Sequence, residues 1–145
     1  DNLDATAEVT SRVFLKSLKN LGKYKYQGVP FSSWLYRIAI NEVNLFFREQ
    51  SKMERVVNIT NEDVHVIISE IEYTAPALDP NILVPVLLEQ LNEYEIQLIE
   101  LRFFEEHSFR EIGYLLGLTE VNAKVKTYRV INKLKKISQE VRYHD

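Results

Sequence analysis

The sequence predicts an all-α chain of two small helical domains, the second a helix-turn-helix, joined by an acidic linker. Three observations carry this. Apolar side chains recur at helical spacing, as in Ala123, Thr127, Val130, Leu134 and Ile137. Start and stop residues fall where such helices need them: Ser108 with Glu111 in a capping-box pattern, Gly117 as a left-handed stop, Thr119 as a second cap. Charge comes in blocks, basic over 11–55, acidic over 56–120 and basic again over 121–145.

The elements follow in order. Residues 4–21 predict a helix with Val9, Val13, Leu15, Leu18 and Leu21 on an inner face and Arg12, Lys16 and Lys19 opposite, ended by Gly22. Residues 22–32 form a loop that interleaves Lys23, Tyr24, Lys25 and Tyr26 before Phe31. Cations beside rings suit single-stranded nucleic acid, since charge tracks phosphates and rings stack on bases; the same rings could instead plug the gap between two helices. Ser32 or Ser33 then caps a helix running to about Lys52. Arg37, Asn41, Asn44 and Arg48 make a narrow polar stripe on it, and Trp34, Leu35 and Ile38 hold the domain together. Amides and guanidiniums hydrogen-bond base edges and phosphates, although a solvated edge on a core helix has the same look.

Residues 56–80 show brief alternation (Val56, Val57, Ile59), many acids and the prolines Pro76 and Pro80, so they predict a linker with some helix or extended structure between a first domain over 1–55 and a second over 81–145, a short strand being the alternative. Helical patterns resume with Ile82, Leu83, Val86, Leu87 and Leu91 inward, then Ile96, Leu98, Ile99, Leu101 and Phe103. The helix-turn-helix follows. Its second helix runs from Thr119 to about Gln139 and turns Asn122, Lys124, Val125, Lys126, Tyr128, Arg129, Lys133 and Lys136 outward.

Composition limits the alternatives. The net charge of −3 argues against a polyanion partner only until it is divided: residues 11–55 carry nine Lys/Arg against three Glu, and residues 56–120 thirteen Asp/Glu against two Arg. Two basic blocks around an acidic middle fit a two-site binder of a polyanion. There are no cysteines, so disulfides and thiolate metal sites are excluded and a reducing cytoplasm is expected. No apolar run is long enough to span a bilayer. His65, His107 and His144 are scattered and the four glycines form no phosphate loop, so neither a metal nor a cofactor is expected and no catalytic constellation assembles. The chain opens on Asp1 inside a helical pattern, which leads us to expect a missing N-terminal piece.

Two stretches carry a family resemblance. Phe31-Ser-Ser-Trp-Leu-Tyr-Arg-Ile-Ala-Ile-Asn41 resembles region 2 of bacterial sigma factors of the extracytoplasmic-function class. Leu98-Ile-Glu-Leu-Arg-Phe-Phe-Glu-Glu-His-Ser-Phe-Arg-Glu-Ile-Gly-Tyr-Leu-Leu-Gly-Leu-Thr-Glu120 resembles their region 4. The resemblance implies a dissociable subunit of RNA polymerase core that binds promoter DNA, is held by an anti-sigma factor and is monomeric when free. Lys23–Phe31 would capture a flipped base of the minus-ten element, with Arg37, Asn41, Asn44 and Arg48 lining the site. Asn122, Lys124, Val125, Lys126, Tyr128, Arg129 and Lys133 would read the minus-thirty-five element. Arg12, Lys16 and Lys19 would dock on polymerase, and the acids Glu62, Asp63, Glu70 and Glu72 would mimic nucleic acid in the polymerase channel. The chain departs from the family's usual pattern at Glu8, Ser11 and Arg12, at Gly113, and at Val121-Asn122-Ala123. The rival readings are a helix-turn-helix regulator, expected to dimerise, and an interaction protein that binds an anti-sigma factor without initiating transcription.

Overall fold

The structure is a computed structural model and describes residues 2–49, 59–74 and 78–144. The expected Val56–Val57 alternation, Lys52 and Pro76 lie outside the described residues. Seven α-helices follow one another: α1 (Asn2–Asn20), α2 (Phe31–Glu49), α3 (Asn61–Glu70), α4 (Pro80–Glu89), α5 (Glu93–Ile99), α6 (Phe109–Leu116) and α7 (Glu120–His144). Among the described residues there is no strand. The all-α expectation holds. Helices α1 and α2 form a hairpin, and α3 to α7 form a body with its own core.

The hairpin is organised differently from its sequence pattern. The face of α1 that meets α2 carries Val9, Val13 and the buried Ser17, and ion pairs run along its edge. Arg12 reaches Glu8 at 2.6 Å and Glu49 at 3.2 Å, and Lys16 reaches Glu42 at 2.6 Å. Both acceptors on the far side belong to α2, so the ion pairs join the two helices. Glu42 is only 5% exposed, and a buried carboxylate is tolerable only with such a partner. Phe14, Leu15, Leu18 and Leu21 face outward instead, Leu18 with 70% of its surface open. On α2 the fully buried residues are Ser33, Glu42 and Phe46, while Trp34, Leu35 and Ile38 are half-buried. Val9 and Val13 turn inward as their spacing predicts, while Leu15, Leu18 and Leu21 do not; spacing alone could not show the partners on α2 that draw Arg12 and Lys16 to the edge of the contact. Helix α1 ends at Asn20 and a 3-10 turn, Leu21–Lys23, contains Gly22, and α2 begins at Phe31, ahead of both expected serine caps.

The stretch expected to be a linker contains α3, and α3 belongs to the body. Thr60 starts it with a reciprocal cap: Asp63 N–H donates to Thr60 Oγ1 at 3.1 Å, and Thr60 N–H donates to Asp63 Oδ2 at 2.9 Å. Val64, Ile67 and Ile71 then enter the same core as Leu83, Leu87, Leu98, Ile112 and Leu134. Glu72, with φ of 53°, pairs with Lys135 of α7 at 2.8 Å, and that contact holds its carboxyl below the usual range. Two of the four acids assigned to the linker are thus used inside the fold. Some helix is expected here, but its place in the core is not, because surface acids masked the apolar stripe of Val64, Ile67 and Ile71.

In α4, Leu83, Val84, Leu87 and Leu88 are buried, but Ile82 and Val86 turn outward. Helix α5 passes directly into a π turn, Glu100–Phe104. The wider turn lets Leu101 and Phe103 both face the core while Arg102 donates to His107 O at 3.0 Å. The helix-turn-helix is built as the sequence predicts. Ser108 Oγ accepts from Glu111 N–H at 3.1 Å, Gly117 takes φ of 69°, and Asn122 N–H donates to Thr119 Oγ1 at 3.1 Å. Gly113 is buried under the turn, where a Cβ would stand 2.6 Å from Leu118 O, so the backbones of α6 and the turn can close only over glycine.

Candidate nucleic-acid interface

Helix α7 places its side chains by period. Ala123, Thr127, Val130 and Leu134 are buried. Thr127 Oγ1 satisfies itself by donating to Ala123 O at 2.8 Å. Asn122, Lys124, Val125, Tyr128 and Arg129 consequently emerge together on the open side, an amide, two cations and two apolar groups on one helix face. Tyr128 leans on Phe109 of α6, with ring centroids 5.9 Å apart, which fixes the outer side of the helix-turn-helix.

The two remaining candidates on this helix are engaged inside the protein. Lys126 is half-buried with its ammonium 5.9 Å from the Tyr94 ring, a weak contact it can leave. Lys133 donates to Glu95 Oε2 at 2.9 Å and Oε1 at 3.2 Å. Burial works against the Glu95 charge, yet Lys133 and the Asn92 N–H outweigh it and hold the carboxyl below its usual range. Lys133, half-exposed, is therefore also a strut between α7 and α5.

On the hairpin, Lys23, Lys25, Tyr26, Phe31, Arg37, Asn41, Asn44 and Arg48 are exposed and Tyr24 is half-buried. The rings before α2 pack on one another: Tyr24 meets Phe31 and Trp34 edge-on at 5.0 and 5.3 Å. Tyr24 packs between Phe31 and Trp34, as the gap-filling reading expects, and Tyr26 is exposed. Lys16, Lys23, Lys25, Arg37, Asn41 and Trp34 border a crevice of about 360 Å³ with no carboxylate in its lining. A hollow edged by cations, amides and one indole can take a phosphate-linked base.

The structure also shows what the sequence gave no sign of. The polar stripe of α2 runs along the body. Arg37 lies over the Tyr114 ring of α6, 5.1 Å from its centroid, and Tyr114 closes the crevice. Asn44 and Arg48 face Glu93, Tyr94 and Gln97 of α5 across a second crevice. Tyr36 meets His107 edge-on at 5.0 Å, and His107 is held from both sides by Glu105 at 3.1 Å and Glu111 at 3.0 Å. Neither Tyr114 nor His107 carries a pattern signal, because contacts between separate units have no period.

Of the expected polymerase-docking cations, Arg12 and Lys16 are tied to α2, while Lys19 is exposed. Its two carboxylates hold the Arg12 guanidinium above its usual range, so it stays charged. Among the described residues no group of acids and histidines could hold a metal ion, and no helix is long and apolar enough to cross a membrane.

Residues 87–136 match the family model for sigma-70, region 4. That span runs from the end of α4 through most of α7. Over 134 residues, 92% of the chain, the sequence is 28% identical to the ECF RNA polymerase sigma factor BldN of Streptomyces coelicolor. The chain spans 51% of that relative's length. No solved structure matches.

Proposed function

We propose that the chain is a sigma factor of the extracytoplasmic-function type and that it acts in transcription initiation by bringing RNA polymerase core to promoters. The carrying observation is the helix-turn-helix inside the region 4 match, which offers Lys124, Val125, Tyr128 and Arg129 on one open face of α7. A helix so equipped can enter the major groove and combine base contacts with phosphate anchors. In this reading α7 binds the minus-thirty-five element as duplex. Residues 81–145 form that unit with α3 as an added layer, and residues 1–55 form the minus-ten unit.

The crevice beside α2 supports the minus-ten role. Reading a base outside the stack costs a few kcal/mol and needs aromatic and amide partners, which Trp34 and Asn41 supply beside Lys23 and Lys25. Polymerase docking moves from the cations to the apolar stripe of α1. Phe14, Leu15, Leu18 and Leu21 form a face whose burial against core would be favourable, with Lys19 at its edge. An anti-sigma factor and a cytoplasmic site of action come with the family reading. Catalysis is not part of it.

The test is in vitro transcription with core polymerase from the same source. Asn41→Ala is expected to melt within about 0.5 kcal/mol of the parent, as an exposed change does, yet to lower open-complex formation about tenfold. Trp34→Ala, half-buried against two rings, is expected to cost roughly 2 kcal/mol, below the range for a fully buried tryptophan. Promoter-specific initiation that is absent from every template with the parent chain defeats the reading. A larger loss of stability in Asn41→Ala than in Trp34→Ala would show that the stripe is structural.

A further inference from the structure

The crevice beside α2 gathers more positive charge than one captured base requires. Lys23 and Lys25 on the loop before α2, and Arg37 in the second turn of that helix, are exposed and border the same hollow of about 360 Å³. No carboxylate lines it. Lys16 at its rim is already paired with Glu42 at 2.6 Å, which leaves three cations that no carboxylate offsets. A cleft edged by one sign of charge focuses its field and concentrates the opposite ion. Arg37 lies over the Tyr114 ring, 5.1 Å from its centroid, and a guanidinium stacked by its face keeps its N–H edge for a phosphate.

The rest of the lining suits a base. Tyr24 and Phe31 fix the Trp34 indole, with ring centroids at 5.3 and 5.5 Å, and the indole also borders the hollow. Gln27 and Asn41 add exposed amides, which pair with the polar edges of purines. Asn20 donates its amide N–H to Lys16 O at 2.8 Å and keeps its own carbonyl oxygen for a ligand. The volume lies within the range of small-molecule sites. A base drawn out of a strand brings phosphodiesters, each a single charge, spaced along the backbone. A free nucleotide with a phosphate chain brings several charges and a ring in one small molecule, which matches three cations beside one indole.

We propose that this crevice is a site for a free nucleotide carrying a chain of phosphates, with the phosphates on Lys23, Lys25 and Arg37 and the base against Trp34. The site stands on the crevice itself. Its consequence, that the nucleotide and the promoter strand exclude one another, rests on the minus-ten role assigned above. The nucleotide is then a regulator by mass action: as its concentration rises past its dissociation constant, a smaller share of the chain is free to take a strand.

Isothermal titration of the full chain at low salt, without divalent cations, tests the site with ATP, AMP, adenosine and tripolyphosphate. ATP is expected to bind at least tenfold more tightly than AMP and at least threefold more tightly than tripolyphosphate, with adenosine the weakest. Lys23→Gln with Lys25→Gln, both on an exposed loop, is expected to weaken ATP at least tenfold with an unchanged melting curve. Lys124→Gln with Arg129→Gln removes the same charge from α7 and should leave ATP binding as it is. Absence of ATP binding overturns the proposal. Tripolyphosphate binding as tightly as ATP also overturns it, because the indole then has no part. So does an equal loss in the two double variants, which would mean attraction to overall charge. A second arm titrates ATP against a fluorescein-labelled single-stranded oligonucleotide bound to the chain, and displacement by ATP but not by adenosine is expected. If the strand binds and ATP does not bind, the nucleotide site falls and the minus-ten role stands. If ATP binds through Lys23 and Lys25 and leaves the strand in place, the site stands and the minus-ten role of the crevice falls.

Discussion

Ile67→Ala is expected to cost the chain about 3 kcal/mol of stability, seen as a lower denaturation midpoint at an unchanged slope. Ile67 is fully buried, in a helix whose other inward residues, Val64 and Ile71, share the core with α4 and α7. Truncation removes three carbons from a fully buried site in the core. The result separates two views of residues 56–80. A solvated connector would tolerate the change within about 0.5 kcal/mol. A structural layer of the helix-turn-helix body would not. The loss should also reach duplex binding at temperatures near the transition, because α3 supports the same core that holds α7.

Lys124→Ala combined with Arg129→Ala is expected to reduce duplex promoter binding at least a hundredfold, since each side chain that reaches the DNA is worth about 1–3 kcal/mol. Both side chains are exposed, so the melting midpoint should barely move. The dependence of log affinity on log salt should become shallower by about two, one unit for each phosphate-facing cation removed. Lys133→Ala makes the contrast. Its ammonium belongs to Glu95, so it should leave the salt slope intact. A slope unchanged in the double variant would mean that α7 faces something other than DNA.

The helix-turn-helix was legible almost residue by residue, because each part has a local cause. Ser108, Glu111, Gly117 and Thr119 act through hydrogen bonds and dihedrals within a few residues of themselves. The inner stripe of α7 was equally plain, since a long helix against one core repeats its pattern many times. The core role of helix α3 was hidden because its ten residues offer only two buried positions, Val64 and Ile67, among acids. The facing of α1 was only half legible, for another reason. Arg12 and Lys16 look like a solvated edge until Glu49 and Glu42 are known to stand opposite, and those partners are 37 and 26 residues away. The candidate site was divided in the same way. The polar stripe of α2 could be drawn from spacing alone, but its cover, Tyr114 and Glu93, comes from distant segments with no shared period.

Trp34 is the chain's one tryptophan, and it stands in the crevice that Tyr114 closes. The indole emission of the whole molecule is therefore the emission of this one place. Rings at 5.3 and 5.5 Å on one side and the crevice on the other make it an optical gauge of how wet that place is. Withdrawing α6, as in Tyr114→Ala, should shift the emission to the red and make it easier for acrylamide to quench. No label is needed to watch the crevice fill with water or with a base.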